Sequence, residues 1–229
     1  KNGRVKGLAE GEVSITVTST ENADITATCT VTVTPAKDND DAILAGGVII
    51  SGIGGDDLPF TDVSFRNYYY NAVKWAVDKG ITSGTSRYTF SPDVACTRAQ
   101  VVTFLWRAAG SPAPMLNKNP FTDVHTSDYY YDAVLWAVQN GITTGTSATT
   151  FSPDATVTRA QVVTFLWRAN GQPAAGNSGF VDVSSNAYYA KAVDWAFVNG
   201  ITTGMDYGAF DPDTACTRAQ IVTFLYRAR

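Results

Sequence analysis

Thr97-Arg98-Ala99-Gln100 recurs as Thr158-Arg159-Ala160-Gln161 and again as Thr217-Arg218-Ala219-Gln220, each time followed by an apolar run. Threonine at an N-cap with glutamine at N3 is a capping box, so each stretch predicts the start of a helix. Cys96 and Val101 stand at N′ and N4, the spacing of a hydrophobic staple, and Val157 with Val162 and Cys216 with Ile221 repeat it. A position that accepts cysteine or valine asks only for a compact apolar group.

Each box is preceded by the same ordered signals. Phe60-Thr61-Asp62-Val63, Phe121-Thr122-Asp123-Val124 and Phe180-Val181-Asp182-Val183 open the copies, 61 and 59 residues apart. Trp75, Trp136 and Trp195 follow at one offset, then Gly80-Ile81-Thr82 with its equivalents at 141 and 200, then Phe90-Ser91-Pro92-Asp93 with its equivalents at 151 and 210. Tyr69, Ala72, Val73, Ala76 and Val77 form an amphipathic stripe that predicts a first helix. Gly80 falls where a helix C′ glycine belongs. Each copy (60–110, 121–171 and 180–229) therefore reads as helix, loop, helix. The spacers between them are rich in Pro, Gly, Ala and Asn. A copy of this size cannot bury its apolar faces alone, so three copies predict one pseudo-threefold, mainly α assembly.

Upstream the pattern changes. Residues 14–19 and 25–33 alternate apolar or β-branched with polar residues around a turn-forming stretch at 20–24, which predicts a β-hairpin. Two strands are marginal alone, so residues 1–34 are expected to be the end of a larger β-domain whose beginning, like any signal peptide, precedes Lys1. Residues 35–59 read as a linker, broken by Pro35, an acidic run at 38–41 and several glycines. The apolar stretch 42–53 is too short for a membrane span, which needs roughly 17–25 residues, and is expected to lie against a neighbouring surface. The acidic run lacks an ordered loop of Ca²⁺ ligands.

The 45% hydrophobic and 17% charged residues are those of a soluble globular chain. A net charge of −4 argues against a nucleic-acid binder with a basic face, although basic sites can still cluster locally. Three cysteines, an odd number, do not make a disulfide framework.

Arg98, Arg159 and Arg218 carry the strongest chemical signal. Each lies at N1, where the helix macrodipole disfavours a cation by a few tenths of a kcal/mol. Exposed N–H groups beside a guanidinium would form an anion site. The alternative is that each arginine pairs with a carboxylate of the fold, such as Asp62, Asp123 or Asp182, or Asp93 and its equivalents. Both readings stand at this point. Tyr68-Tyr69-Tyr70, Tyr129-Tyr130-Tyr131 and Tyr188-Tyr189 are either core or sugar-stacking surfaces, with core the commoner use of aromatics at helical spacing. Trp75, Trp136 and Trp195 read as core, and Trp106, Trp167 and Tyr226 are ambiguous. Gly84, Gly145 and Gly204 suit either a loop needing φ > 0 or a close approach to a ligand. His125 has no counterpart in the other copies and reads as a surface residue. No Ser/His/Asp or Cys/His set, metal pattern or cofactor motif is present. An enzyme normally needs one asymmetric site, and this chain repeats one feature three times, which points to multivalent binding.

Taken in order and in triplicate, Phe-x-Asp-Val, Tyr-Tyr-x-x-Ala-Val-x-Trp-Ala, Gly-Ile-Thr-x-Gly, Phe-x-Pro-Asp and Thr-Arg-Ala-Gln resemble S-layer homology (SLH) domains over about residues 56–229. Residues 1–34 resemble the last part of a bacterial immunoglobulin-like (Big_2-type) domain, which implies a β-sandwich fragment ahead of the helices. The SLH resemblance implies a three-pronged bundle that holds an exported protein non-covalently on the cell surface. Its partner would be an anionic, often pyruvylated, secondary cell-wall polysaccharide or another peptidoglycan-linked glycan, with surface-layer self-assembly as a further association. It implies no catalytic residues, cofactor, metal, nucleic acid or membrane span. In that family the Thr-Arg-Ala-Glu element contacts the ligand. Carried over, Arg98, Arg159 and Arg218 would meet the ligand's carboxylate in grooves between prongs, within the motifs formed by Thr97, Thr158, Thr217, Gln100, Gln161 and Gln220. Asp62, Asp123, Asp182, Gly84, Gly145 and Gly204 would shape the grooves. Glutamine replaces the family's glutamate in all three copies, which keeps the cap and removes a negative charge. The alternatives are the targeting module of a wall-active glycoside hydrolase whose catalytic domain lies upstream, and a purely structural surface protein.

Overall fold

In a computed structural model of the chain, the described residues are 11–18, 26–33, 58–116 and 118–229. They fall in two compact units, Lys1–Asp57 and Leu58–Arg229.

In the first unit β1 (Gly11–Thr18) and β2 (Thr26–Val33) pair antiparallel, in a register running from Gly11 opposite Val33 to Thr18 opposite Thr26. The expected hairpin strands are there, with the first beginning three residues earlier than the alternation alone predicted. The turn at 20–24, the linker from 35 to 57 and any strands of an immunoglobulin-like sandwich lie outside the described residues. Among the described residues the pairing is a two-stranded ribbon.

The second unit is helical: α1 (Tyr70–Asp78), α2 (Arg98–Ala108), α3 (Tyr131–Gln139), α4 (Arg159–Ala169), α5 (Ala190–Val198) and α6 (Arg218–Arg227). A 3₁₀ turn at Asp206–Gly208 is confined to the third repeat. Helices of nine to eleven residues are marginal alone, so tertiary packing must hold them. The packing crosses repeat boundaries. α2 lies against α3, α4 against α5, and α6 against α1, while α2, α4 and α6 also touch one another. Each outer pair takes the second helix of one repeat and the first helix of the next, and the last pair joins the chain's final helix to its first.

Local signals explain where each helix begins and ends. Thr97, Thr158 and Thr217 are extended N-caps whose side chains accept from the N–H of Gln100, Gln161 and Gln220, and each glutamine side chain accepts in return from the threonine N–H. At the end of α1, Gly80 adopts φ +67°; its N–H donates to the Val77 oxygen, and that of Ile81 to the Ala76 oxygen. This is a Schellman motif, and it turns Ile81 into the core, where it is fully buried. Gly141 and Gly200 end α3 and α5 in the same way.

The repeats meet around a closed ring of main-chain hydrogen bonds. The N–H of Cys96 donates to the Cys216 oxygen at 3.1 Å, that of Cys216 to Val157 at 3.0 Å, and that of Val157 to Cys96 at 3.0 Å. All three side chains are fully buried, so Cys96 and Cys216, both free thiols, serve as compact apolar groups beside Val157. Phe90, Phe151 and Phe210 are also fully buried.

Candidate functional site

Each N1 arginine leaves its own repeat and enters the next. Arg218 Nε donates to the Phe90 oxygen at 2.8 Å and its Nη2 to Thr82 Oγ1 at 3.2 Å. Arg98 Nε reaches the Phe151 oxygen at 2.9 Å, and its Nη2 lies 3.5 Å from Thr143 Oγ1. Arg159 Nε reaches the Phe210 oxygen at 2.9 Å, and its Nη2, although buried, has no hydrogen-bond partner. Two phenylalanine rings of the receiving repeat flank each guanidinium: Phe151 and Phe165 at 4.9 and 5.3 Å, Phe210 and Phe224 at 4.8 and 5.6 Å, and Phe90 and Phe104 at 4.9 and 5.4 Å.

The arginines retain only 4%, 2% and 3% of their surface. Among the described residues none of the three forms an ion pair with a carboxylate. The second reading of these arginines, pairing with Asp62 or Asp93 and their equivalents, is therefore not what the fold does. Asp62 instead accepts from the N–H groups of Phe90 and Ser91 at 2.8 and 2.7 Å, and Asp123 and Asp182 do the same in their repeats. This clamp holds the Phe90 peptide whose oxygen Arg218 meets, so the aspartate positions the arginine's acceptor. Burial disfavours the charged form of Arg98 and Arg159 and pulls their pKa values down. Guanidinium stays protonated in proteins all the same, so the unit buries three cations that main-chain oxygens, hydroxyls and ring faces only partly offset.

The helix starts differ from the expectation of exposed N–H groups. The N–H of Arg98 donates to the Ala155 oxygen and that of Ala99 to the Pro153 oxygen, while that of Gln100 is taken by Thr97. Repeats 2 and 3 do likewise. The neighbouring loop consumes these donors, and what is left for a ligand is side chain.

Gly84 and its equivalents take φ of +88°, +88° and +80°. A Cβ on Gly84 would stand 2.5 Å from both the Phe60 ring and the Thr89 oxygen, so packing within the repeat excludes a side chain there. The Gly84 N–H donates to Thr82 Oγ1, the hydroxyl that Arg218 also meets. Gly, Thr, Asp and Phe thus build one receiving loop for the arginine of the preceding repeat.

Two further side chains reach each junction, one from the receiving repeat and one from the third. Arg107, Arg168 and Arg227 brace the receiving loops by donating to the oxygens of Ile81, Ile142 and Ile201 at 3.0 to 3.1 Å. Tyr129, 62% exposed, lies within the field of Arg107 and Arg218; burial raises its pKa and those two cations oppose the rise. Tyr188 stands in the same relation to Arg168 and Arg98, and Tyr68 to Arg227 and Arg159. The tyrosine clusters therefore divide. Tyr69 is core and Tyr130 and Tyr189 pack against it, whereas Tyr68, Tyr129 and Tyr188 stand out at 65%, 62% and 62% exposure, edge-on to their neighbours. Trp136 and Trp195 are core and Trp75 packs against it. Trp106 and Trp167 tie the spacers down by donating to the oxygens of Pro112 and Pro173. His125 is exposed.

Sequence reasoning missed Thr82, Thr143 and Thr202, the flanking phenylalanines, and Arg107, Arg168 and Arg227. Their threefold recurrence in Gly-Ile-Thr, Phe-x-Pro-Asp and the Arg-Ala helix ends was the available signal. Among the described residues no group of His, Cys, Asp and Glu is placed to hold a metal ion, and no helix is long and apolar enough to cross a membrane.

Fold and site together define a class: a cyclic triplet of one module with a buried arginine at each of its three junctions. The S-layer homology domain model matches residues 59–102, 120–163 and 179–222, and the chain belongs to that family. It is 30% identical over 165 residues to the surface-layer 125 kDa protein of Lysinibacillus sphaericus, covering 70% of this chain and 14% of that protein. It is 37% identical over 113 residues to an endoglucanase of Bacillus sp. strain KSM-635, covering 49% of this chain and 12% of the enzyme. A cell surface protein of Thermoanaerobacter kivui is 34% identical over 115 residues, 48% of this chain and 15% of that protein. The chain thus spans a small part of each relative. SLH domains are cell-wall-binding modules, not catalysts, and mediate anchoring of surface proteins, which places the chain at the cell surface.

Proposed function

We propose that the triplet anchors an exported protein non-covalently to an anionic secondary cell-wall polysaccharide, with the glycan's acidic substituent meeting the junction arginines. The observation that carries this reading is the burial of Arg98, Arg159 and Arg218 with no carboxylate in ion-pair contact. A desolvated cation without a counter-charge is costly, and a ligand carboxylate supplies what the fold withholds. Tyr68, Tyr129 and Tyr188 at the rim offer flat faces for the sugar ring. Glutamine in place of the family's glutamate keeps each capping box and itself adds no anion to the junction. A pyruvate ketal on an amino sugar fits these requirements.

Because the arginines also knit the repeats, the exposed tyrosines make the cleaner test. Changing Tyr68, Tyr129 and Tyr188 to Ala together should leave the melting temperature within a few degrees and sharply reduce sedimentation with purified cell walls. Undiminished sedimentation would remove the rim from the account. Binding should weaken with added salt, and single-junction variants should show muted effects where three sites act on one polymer.

The endoglucanase relative supports a second reading, in which the same anchor targets a wall-active or surface hydrolase. A catalytic domain in the full-length protein would decide for it.

A further inference from the structure

The three junctions share a plan but not a charge. The residue after the acceptor carbonyl is Ser91 in repeat 1, Ser152 in repeat 2 and Asp211 in repeat 3. All three adopt left-handed backbone, with φ of 58°, 57° and 56°, and each donates its N–H to its repeat's aspartate at 2.7 Å. The main chain is the same, and only the side chain differs. The Ser91 and Ser152 hydroxyls lie 2.6 Å from those of Thr85 and Thr146, whereas repeat 3 has Met205 at that threonine's place. The loop that receives Arg159 therefore carries a carboxylate next to the acceptor carbonyl, where the loops that receive Arg218 and Arg98 carry a neutral hydroxyl. Burial pulls the Arg159 pKa down, and among the groups opposing it the Asp211 charge counts for more than that of the loop-clamping Asp182. Hydrogen bonding separates this junction too, since Arg98 and Arg218 find a threonine hydroxyl and the Arg159 Nη2 finds none.

We propose that the junction between repeats 2 and 3 discriminates against the anionic sugar unit that the other two junctions accept, with Asp211 as the specificity-determining residue. The inference rests on the glycan reading above and narrows it to two anionic sites, at Arg98 and Arg218. Like charges brought together in a partly buried site repel strongly enough to weaken binding by at least about tenfold. Left-handed backbone at this position tolerates serine in two repeats and aspartate in the third, so exchanges between them leave the main chain undisturbed.

The test follows the arginine Nε–H signals by ¹⁵N NMR while the intact chain is titrated with the methyl glycoside of a pyruvylated N-acetylhexosamine. In the unaltered chain the Arg98 and Arg218 signals should shift at concentrations at least about tenfold below any shift of Arg159. Asp211→Ser should bring Arg159 into the range of the other two. Ser91→Asp should delay the Arg218 response and Ser152→Asp that of Arg98. Three signals shifting together in the unaltered chain, or an Arg159 response unmoved by Asp211→Ser, would overturn the inference and leave the glycan reading standing. Silence of all three signals in every variant would remove both.

Discussion

The Nε–H of Arg218 donates to the main-chain oxygen of Phe90 at 2.8 Å, across 128 residues of sequence. That bond, with α6 lying against α1, closes the last repeat onto the first and makes three copies one domain. It also commits the arginine's Nε, while no carboxylate pairs with its charge, so one residue ties the repeats together and is left without an ionic partner.

The two roles separate by substitution. Arg218→Ala removes charge-assisted hydrogen bonds and packing and should cost about 2–3 kcal/mol, a fall of about 4–12 °C in melting temperature for a unit of this size. Arg218→Met keeps most of the volume without burying a charge and should cost about 1 kcal/mol or less. A methionine variant that melts near the parent yet loses wall binding at its junction would show that the charge is kept for the ligand. One that melts as low as the alanine variant would show that the charge itself holds the fold.

Closure of the ring also predicts what truncation does. A fragment comprising residues 58–171 keeps both helices of two repeats but strips α6 from α1 and opens the hydrogen-bonded ring at Cys216. It should show no cooperative thermal transition by circular dichroism, whereas residues 58–229 should show one. A sharp transition in the fragment would mean that the repeats are independent.

The glycines divide by physical cause. Gly84→Ala places a Cβ at left-handed φ and 2.5 Å from both a ring carbon and a main-chain oxygen, so it should cost well over about 2 kcal/mol. Gly80→Ala meets open space and carries only the backbone penalty of about 1 kcal/mol. Chemical denaturation of the two variants measures the difference, and equal losses would contradict the close approach.

Alkaline stability should report the two thiols. Burial pushes Cys96 up to about 11 and Cys216 up to about 12, from an ordinary value near 9. A group whose pKa is raised in the folded state stabilises it fully below the unfolded value and loses that contribution as pH rises through the folded one. The loss therefore runs from about pH 9 to 12. Cys96→Val with Cys216→Val, matching Val157, should fold normally and shift the alkaline unfolding midpoint upward. An unmoved midpoint would assign the transition to other groups, such as Tyr130.

Much of this was legible in the sequence because local chemistry is local in sequence. Thr97 and Gln100 sit three apart and form the capping box that spacing predicts, and Gly80 ends α1 in the conformation its place demands. The Cys96, Val157 and Cys216 series correctly announced a compact apolar site. What periodicity could not carry was which repeat receives each arginine, because the partner of Arg218 lies at the other end of the unit. For the same reason the helix-start N–H groups looked free, and the Ala155 and Pro153 oxygens that take those of Arg98 and Ala99 became visible only in three dimensions. Tyr68 and Tyr69 are adjacent and chemically identical, and only packing sends one outward and the other into the core.

Anchoring through these junctions requires anionic charge in the partner. Binding of the intact chain to purified wall polysaccharide, measured before and after removal of its acidic substituents, tests that directly. Binding to the native polymer should be saturable and salt-sensitive and should fall at least about tenfold after their removal. Equal affinity for both polymers would contradict it, leaving the buried arginines as ties between repeats and nothing more.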